Sequence, residues 1–207
     1  MPKDTKIDFL EAKQGRSKQT LNDLIDSAND LVNTKDLKQF NARSLSTKSG
    51  YALGTLNKRL GPIDNIFLWA IEKGRDKKIK LVINFLDQCD PLMPIEVFAE
   101  KLIDLTFDQI GKVGPSVMRY YVNKCAKRDG FSINENSYAE ELLEPYLKMV
   151  SANQTNTFKK VSKNEMRLLL RCSQSLVEKP FIFNDEIAGT DEHRRISKEM
   201  IVRIYGK

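Results

Sequence analysis

Residues 42–60, ARSLSTKSGYALGTLNKRL, decide the fold that we expect of this chain. The first part has the composition of a short helix, and Gly50 follows it. Glycine adopts positive φ at no steric cost, so it permits the tight reversal that must come next. In 52–60 a second short helix places Leu56 and Leu60 on one inward face. The pattern therefore predicts two short helices joined by a tight turn, which is a helix-turn-helix.

Helical patterns flank this segment on both sides. Asn41 is a suitable N-cap for the first short helix, over 42–48. Upstream, Thr20 and Asp23 give a capping pattern before a longer helix. The apolar residues of that helix recur at helical spacing and are Leu21, Leu24, Ile25, Ala28, Leu31 and Val32. Downstream, Pro62 is expected to open a fourth helix at its first position.

The rest of the chain also predicts helices. No sustained period-2 alternation and no internal repeat occurs in 81–207, and Pro and Gly mark the breaks. The last of these breaks is at Lys179 and Pro180, which are expected to end a helix. The predicted helices cover 95–110, 116–128, 136–150, 162–178 and 191–205. The sequence therefore predicts an all-α fold class.

The positive charge of the chain is concentrated at one end. Over the whole sequence 34 Lys and Arg exceed 28 Asp and Glu, a net charge of +6. Residues 1–80 contain 16 basic and 10 acidic residues, whereas 81–207 contain 18 of each. Such an asymmetry indicates a polyanionic partner for the basic part, although a solvated face produces the same composition.

The sequence lacks the marks of several other classes. Cys89, Cys125 and Cys172 are far apart without C-x-x-C spacing, so they are expected to be reduced thiols and zinc ligation has no support. No apolar run long enough for a membrane span occurs, and no secretory signal is visible. The one histidine, His193, lies among charged residues and is expected at the surface. Without a phosphate-binding loop or a metalloprotease motif, we predict no enzymatic activity, no metal and no cofactor.

Residues 24–70 resemble, without a gap, the DNA-binding domain of the TetR family of transcriptional regulators. LIDSANDLVNTKDLKQF is similar to that family's first helix and the following loop, and ARSLSTKSG to its second helix and turn. YALGTLNKRL is similar to the recognition helix, where the family often reads V-S-x-G-x-L-Y-x-[HY]-F. Gly54, Thr55 and Leu56 fall at matching positions. About 50 of the 207 residues carry the resemblance.

Two positions depart from the family pattern at expected phosphate contacts. Asn57 stands where the family usually has an aromatic residue. Ile63 stands where the family commonly has a lysine at the start of the fourth helix. Those two contacts are therefore missing or replaced, for instance by Lys58 or Arg59. These departures bear on DNA affinity more than on the fold.

The resemblance and the chemistry of the major groove together predict a set of DNA-contacting residues. A recognition helix that enters the groove needs short or polar side chains on its outer face. Asn57 can pair with adenine, Lys58 can reach guanine or phosphate, and Gly54 allows close approach of the backbone. For Tyr51, packing within the domain is the competing interpretation. The predicted set is Arg43, Tyr51, Ala52, Leu53, Gly54, Thr55, Asn57 and Lys58.

The resemblance also implies a C-terminal domain that dimerises as a four-helix bundle and binds a small effector. The residues predicted for the dimer interface are Met166, Leu169, Leu170, Ser173, Leu176, Val177, Ile196, Met200, Ile201 and Ile204. Packing within the subunit core is the alternative for this set. The residues predicted to line an effector pocket are Phe98, Leu102, Phe107, Met118, Tyr121, Cys125 and Phe158. Each of them also suits an ordinary core position.

These features predict three parts: a flexible basic arm (1–18), a three-helix helix-turn-helix domain (19–74) and a larger helical dimerisation and effector domain (75–207). The predicted function is sequence-specific transcriptional regulation on double-stranded DNA in the bacterial cytoplasm. We expect a homodimeric repressor that an effector releases from a palindromic operator. The alternative is a TetR-like interaction protein that has lost DNA binding and acts through its dimer surface or a protein partner.

Overall fold

The computed structural model describes residues 15–60, 62–126 and 135–207. In these parts the chain forms nine α-helices and one 3₁₀ helix, Leu37–Gln39. The helices are α1 (Gly15–Asn33), α2 (Ala42–Ser49), α3 (Leu53–Leu60), α4 (Asp64–Asp87), α5 (Ile95–Val113), α6 (Pro115–Ala126), α7 (Glu135–Ala152), α8 (Lys163–Phe183) and α9 (Asp191–Tyr205). No β-strand occurs in the same parts, which contain an isolated bridge between Phe158 and Gly206. The all-α prediction is confirmed.

The chain divides into two compact units. Unit 1 comprises Met1–Arg75 and Ser116–Phe131, and unit 2 comprises Asp76–Pro115 and Ser132–Lys207. The division passes through α4, and α6 groups with the N-terminal helices. The sequence-based division at residue 74 stays a prediction, and it differs from this grouping in where it places α6.

The core of unit 1 is made by the helices of the predicted helix-turn-helix. Leu24 and Ala28 of α1 are fully buried, as are Leu45 of α2 and Leu56 of α3. α1 contacts α2, and α2 contacts α3. Fully burying a leucine-sized side chain contributes roughly 1.5–3 kcal/mol, so these few positions supply much of the stability of three short elements.

Aromatic and charged side chains join α6 to the rest of unit 1. Phe40 stacks on Phe67 of α4 with ring centroids 4.8 Å apart, and the edge of Tyr120 meets it at 5.2 Å. The Tyr120 hydroxyl donates to Asp64 at 2.7 Å, and Lys124 pairs with the same carboxylate at 2.6 Å. α6 is therefore held to α4 by packing and by shared polar contacts.

Unit 2 is organised around an aromatic cluster. Phe98 of α5 is fully buried. The centroid of its ring lies 5.5 Å from that of Phe85, 5.3 Å from that of Phe158 and 6.1 Å from that of Tyr146. α5 packs on α9, and α7 packs on α8. The Lys159 N–H donates to the carbonyl of Tyr205 at 2.8 Å, which ties the segment before α8 to the end of the chain.

Several helix boundaries differ from the sequence-based expectation, and three of the differences change the role of a named residue or segment. α1 begins at Gly15, so Thr20 is not its N-cap and 15–18 belong to a helix rather than to the arm. The residues before Thr20 include Arg, Lys and Gln, which are good helix formers, and nothing there ends the helix. Pro62 precedes α4, which begins at Asp64, and so is not its first residue. α8 continues through Pro180 to Phe183, and the prediction that it ends at Lys179 is wrong.

Pro180 is tolerated inside α8 because a side chain of α9 replaces the hydrogen bond that it removes. Proline has no N–H, so the carbonyl of Leu176, four residues earlier, loses its helical donor. The Nε2 atom of His193 lies 3.2 Å from that carbonyl, and the Gly189 N–H donates to Nδ1 at 3.2 Å. This arrangement requires the ring proton on Nε2. His193 is 2% exposed, and the prediction of a surface histidine is wrong.

Candidate nucleic-acid interface

The turn between α2 and α3 has the capping that the sequence predicted. The Asn41 side chain accepts from the Ser44 N–H at 2.9 Å and caps α2. Gly50 ends the helix at φ 75°, and its N–H donates to the carbonyl of Ser46. A side chain at such a positive φ would be strained, so glycine is needed for this reversal. The predicted helix-turn-helix geometry is present.

Tyr51 fixes the approach to α3 from within the domain. The Ser46 hydroxyl donates to the Tyr51 carbonyl at 2.7 Å. The Tyr51 hydroxyl donates to the Asp23 carboxylate of α1 at 2.7 Å, and Gln19 donates to the other oxygen of that carboxylate at 2.7 Å. The phenol therefore has a partner inside unit 1. Its predicted DNA contact stays a prediction, and its visible role is to position the turn.

The outer face of α3 combines apolar, amide and glycine positions. Leu56 is fully buried and Thr55 is half-buried, whereas Leu53 is 45% exposed and Gly54 and Asn57 are exposed. Ala52, just before the helix, is also exposed. Leu53 and Asn57 are four residues apart, so they are neighbours on the same side of the helix. The exposed face of α3 therefore offers an apolar side chain, an amide and an open glycine position.

Gly54 lies within a helix where nothing in the described chain requires a glycine. A Cβ atom built at Gly54 has no heavy-atom neighbour within 4 Å, so an alanine would fit. Glycine in a helix interior costs about 1 kcal/mol relative to alanine, and this is an upper bound for Gly54, the second residue of α3. The missing side chain leaves open space on the surface of α3 that an external group can approach closely.

The charged residues of α2, α3 and the segments next to them in sequence are all basic. Between Asp36 and Asp64 the sequence contains five Lys and Arg and no Asp or Glu. Arg43 is exposed and has no ion pair or hydrogen bond within the described part of unit 1, whereas Lys48 pairs with Asp30 at 2.9 Å. Lys58 belongs to α3, but its side chain lies outside the described residues. Arg43 thus offers an available cation close in sequence to the turn.

The residues predicted to line an effector pocket are distributed over both units. Met118, Tyr121 and Cys125 lie on α6 in unit 1, where Tyr121 and Cys125 are buried. The Tyr121 hydroxyl donates to Glu72 at 3.0 Å, and burial raises the pKa of this phenol above its ordinary value. Phe98, Phe107 and Phe158 are buried in unit 2 within its aromatic packing. Three of the seven predicted residues thus belong to unit 1 and four to unit 2, and their role as pocket lining stays a prediction.

Leu102, the remaining member of that set, lines a small, partly open cavity of unit 2. The cavity measures about 30 Å³, and its wall includes the ion pair of Lys78 and Glu178, joined at 2.8 Å. These side chains are 12% and 17% exposed. Gln174 donates to the second Glu178 oxygen at 3.0 Å, and Lys78 lies 5.7 Å from the centre of the Tyr138 ring. Sequence reasoning missed this pair because its members are 100 residues apart.

The predicted dimer residues fall into two groups. One group packs inside unit 2, each side chain at most 3% exposed: Met166, Leu170, Val177 and Ile201. The other group is partly exposed: Leu169, Ser173, Leu176, Ile196, Met200 and Ile204. Ser173 lies 2.9 Å from the Tyr205 hydroxyl and so has a partner within the subunit. The predicted dimer set does not include Leu168 and Phe183 of α8, which are 59% and 68% exposed.

The residues whose side chains are described contain neither a metal site nor a membrane span. No group of three or more His, Cys, Asp or Glu side chains is placed to hold a metal ion there. Across the same residues, no helix has the length and apolar character needed to cross a membrane.

The fold has solved counterparts among TetR-family regulators. A TetR-family transcriptional regulator of Mesorhizobium loti MAFF303099 has a TM-score of 0.64 at 13% identity, covering 94% of this chain and 100% of its own. A TetR-family member of Streptomyces coelicolor A3 has a TM-score of 0.53 at 14% identity, covering 90% and 98%. The multidrug binding protein EbrR, solved with imidazole, has a TM-score of 0.57 at 13% identity, covering 93% and 91%. No family model and no curated sequence matches the chain. The fold is that of TetR-family regulators.

Proposed function

We propose that this chain is a sequence-specific DNA-binding transcriptional regulator that acts as a homodimer. The outer face of α3 carries the proposal, because it is exposed, follows a well-capped turn and leaves open space at Gly54. A helix of this kind reads base edges in the major groove. Arg43, on the preceding helix, is available for a phosphate, and phosphate contacts set the register of the protein on the duplex.

Two subunits are proposed to associate through α8 and α9. These helices contact each other, and α8 exposes Leu168 and Phe183. On α9 the partly exposed Ile196, Met200 and Ile204 recur every four residues, which gives an apolar stripe. Two such helix pairs form a four-helix bundle that covers both stripes. A dimer presents two copies of α3, as recognition of a palindromic site requires.

The regulatory signal is proposed to be a small molecule that enters unit 2. The 30 Å³ cavity beside Lys78 and Glu178 has room for about one water molecule, so an effector must open it further. An effector that binds the opened state lowers operator affinity only if DNA favours the closed state. Reciprocity then provides the test: operator DNA must weaken effector binding by the same factor. Equal effector affinity with and without operator contradicts this part of the proposal.

The DNA proposal is tested by selecting bound sequences from a random duplex pool and titrating the best sequence against salt. We expect a palindrome and a steep fall of affinity with salt, because each phosphate contact releases counterions. Arg43→Ala and Lys58→Ala should each lower the salt slope by about 1. Lys101→Ala, at an exposed position of α5, is the control and should leave the slope unchanged.

Failure of the selection decides between the two functional hypotheses. If no sequence is enriched and binding is weak and uniform, the DNA proposal is wrong. The interaction protein that acts through its dimer surface then becomes the better hypothesis. Enrichment with unchanged slopes in both variants would keep the DNA proposal and remove Arg43 and Lys58 from the contact set.

The dimer proposal has a separate test on α8. Leu168→Glu places a charge on the exposed apolar surface of α8, and sedimentation should then show a monomer of 23.7 kDa. Operator affinity should fall with it, because both half-sites must be bound together. Leu92→Glu is the matched control, since Leu92 is 65% exposed and lies between α4 and α5. A dimer that survives Leu168→Glu and Phe183→Glu would place the interface elsewhere.

A further inference from the structure

We infer that the outer face of α3 reads A·T base pairs, through the methyl group of a thymine and the N6/N7 edge of an adenine. The inference rests on the proposed DNA-binding function and names the kind of half-site that this chain binds. Leu53 is assigned to the thymine methyl and Asn57 to the adenine.

The assignment follows from which chemical groups the face exposes. Guanine is read by Arg or Lys and cytosine by Asp or Glu, and none of these residue types occurs in 51–57. Lys58 and Arg59, which follow on α3, are assigned to phosphates in this proposal. Asn57 is exposed, and its amide matches the donor and acceptor pattern of adenine in the major groove. The thymine C5-methyl is the apolar group in that groove. The exposed side chains of Leu53 and Ala52 are suited to contact it.

The spacing on α3 limits how far apart the two bases lie. Leu53 and Asn57 are four residues apart, which is about 6 Å along the helix axis. Successive base pairs are separated by about 3.4 Å, so the two side chains reach bases within about two steps of each other. Around the helix axis Asn57 lies between Leu53 and Gly54, and the open space at Gly54 leaves room beside Asn57 for that close approach. The basic residues between Asp36 and Asp64 complement the duplex, which is why DNA is the partner assigned to this face.

The test uses the operator obtained by selection and replaces its thymines by deoxyuridine, one position at a time in both half-sites. This change removes the methyl group and preserves base pairing. We expect one or two positions at which wild-type affinity falls roughly tenfold, within the range of a good base contact. Leu53→Ala should weaken binding to the thymine operator and remove the sensitivity to deoxyuridine. The pair thus forms a double-mutant cycle across the interface.

The same logic applies to Asn57. Replacing the adenine by 7-deazaadenine removes the N7 acceptor, and Asn57→Ala should abolish the effect of that replacement. Leu37→Ala is the matched control for Leu53→Ala, because Leu37 is also an exposed leucine of unit 1, at 39%, but lies on the 3₁₀ helix. Its deoxyuridine sensitivity should equal that of the wild type.

The possible outcomes distinguish a failure of this inference from a failure of the proposed DNA-binding function. An empty selection overturns the proposed function. An enriched palindrome that tolerates deoxyuridine everywhere overturns the inference while the function stands. The inference is also overturned if Leu53→Ala keeps the sensitivity to deoxyuridine. It is overturned as well if a guanine contributes most to the affinity of the half-site and Lys58→Ala removes that contribution. Loss of methyl sensitivity in Leu53→Ala, with folding unchanged by circular dichroism, supports the inference.

Discussion

α8 and α3 each contain a residue that helices disfavour, and the chain treats the two departures in opposite ways. In α8 the N–H that Pro180 lacks is replaced by His193, whose Nε2 atom lies 3.2 Å from the Leu176 carbonyl. In α3 no heavy atom of the described residues uses the space that Gly54 leaves open. The unfavourable residue in α8 is compensated by another side chain of the same chain, so the helix stays stable. The unfavourable residue in α3 has no such compensation, so it lowers stability and leaves space that a partner can use.

The largest predicted effect concerns the hydrogen bond of His193 to α8. His193→Phe keeps an aromatic ring between Phe107 and Phe181 but leaves the Leu176 carbonyl buried without a donor. We expect the free energy of unfolding to fall by roughly 1–3 kcal/mol, the cost of such an orphaned group. Urea denaturation followed by circular dichroism measures this loss.

Pro180→Ala supplies the control, because the alanine restores a backbone N–H to the helix at the position that faces the Leu176 carbonyl. In that background His193→Phe should cost about 1 kcal/mol less than in the wild type. An equal cost in both backgrounds would show that His193 acts through ring packing alone. The compensation described for α8 would then be wrong.

The α3 side of the comparison predicts an opposite movement of stability and affinity. Gly54→Ala fits without a clash and should raise stability by up to about 1 kcal/mol, because alanine favours the helix. The added methyl group occupies the space used by DNA, so operator affinity should fall about tenfold, or roughly 1.4 kcal/mol. Thermal unfolding and a binding titration on the same protein sample measure both quantities.

Gly74→Ala separates the two effects of that change. Gly74 lies inside α4, and a Cβ built there also meets nothing within 4 Å. It should raise stability as Gly54→Ala does and leave operator affinity unchanged. If both variants bind the operator as the wild type does, DNA does not use the open space at Gly54, and that glycine has no role in binding.

The sequence predicted the helix-turn-helix because each of its determinants is local. Asn41 caps the helix that follows it, Gly50 provides the turn, and the inward leucines recur at helical spacing. The same locality explains why the outer face of α3 could be named in advance: burial of Leu56 fixes which neighbours point outward. The predicted face of Leu53, Gly54 and Asn57 is exposed as expected, and its contact with DNA stays a prediction.

The features that sequence reasoning missed depend on residues far apart in the chain. A helix that continues past Pro180 requires His193, and nothing near Pro180 announces that partner. The ion pair of Lys78 and Glu178 is similarly invisible, since each residue alone has the pattern of a solvated charge. The predicted effector residues stay a prediction, because aromatic residues at helical spacing give the same pattern in a core as in a pocket.

A smaller effect tests whether Tyr51 positions α3 for a partner or only stabilises unit 1. Tyr51→Phe removes the hydrogen bond to Asp23 and should cost about 1 kcal/mol of stability. Tyr120→Phe is its matched control, because it removes a tyrosine–aspartate bond of the same 2.7 Å length to Asp64. We expect similar losses in urea denaturation, but a fall in operator affinity of a few-fold only for Tyr51→Phe. Equal affinities would assign Tyr51 to the fold alone.

The smallest predicted effect concerns Asp104 of α5, which pairs with residues of α9, the helix that also carries His193. Burial acts to raise the pKa of this carboxyl, but hydrogen bonds from Arg194 at 2.6 Å and from Lys198 outweigh it and hold the pKa below its ordinary value. A lowered pKa gives stability that is present above the unfolded-state pKa of 3.8 and is lost as the pH falls through the folded-state value.

Asp104→Asn should therefore cost less than about 1 kcal/mol at neutral pH, because the carboxylate is partly exposed and solvent screens the pair. The difference from the wild type should disappear in acid below the folded-state pKa of Asp104, where the carboxyl is protonated. Asp108→Asn, at 3.9 Å from Arg194, is the control and should cost less at every pH. Urea denaturation as a function of pH measures both differences. A cost for Asp104→Asn that persists in acid would mean that the side chain stabilises α5 and α9 through packing, without its charge.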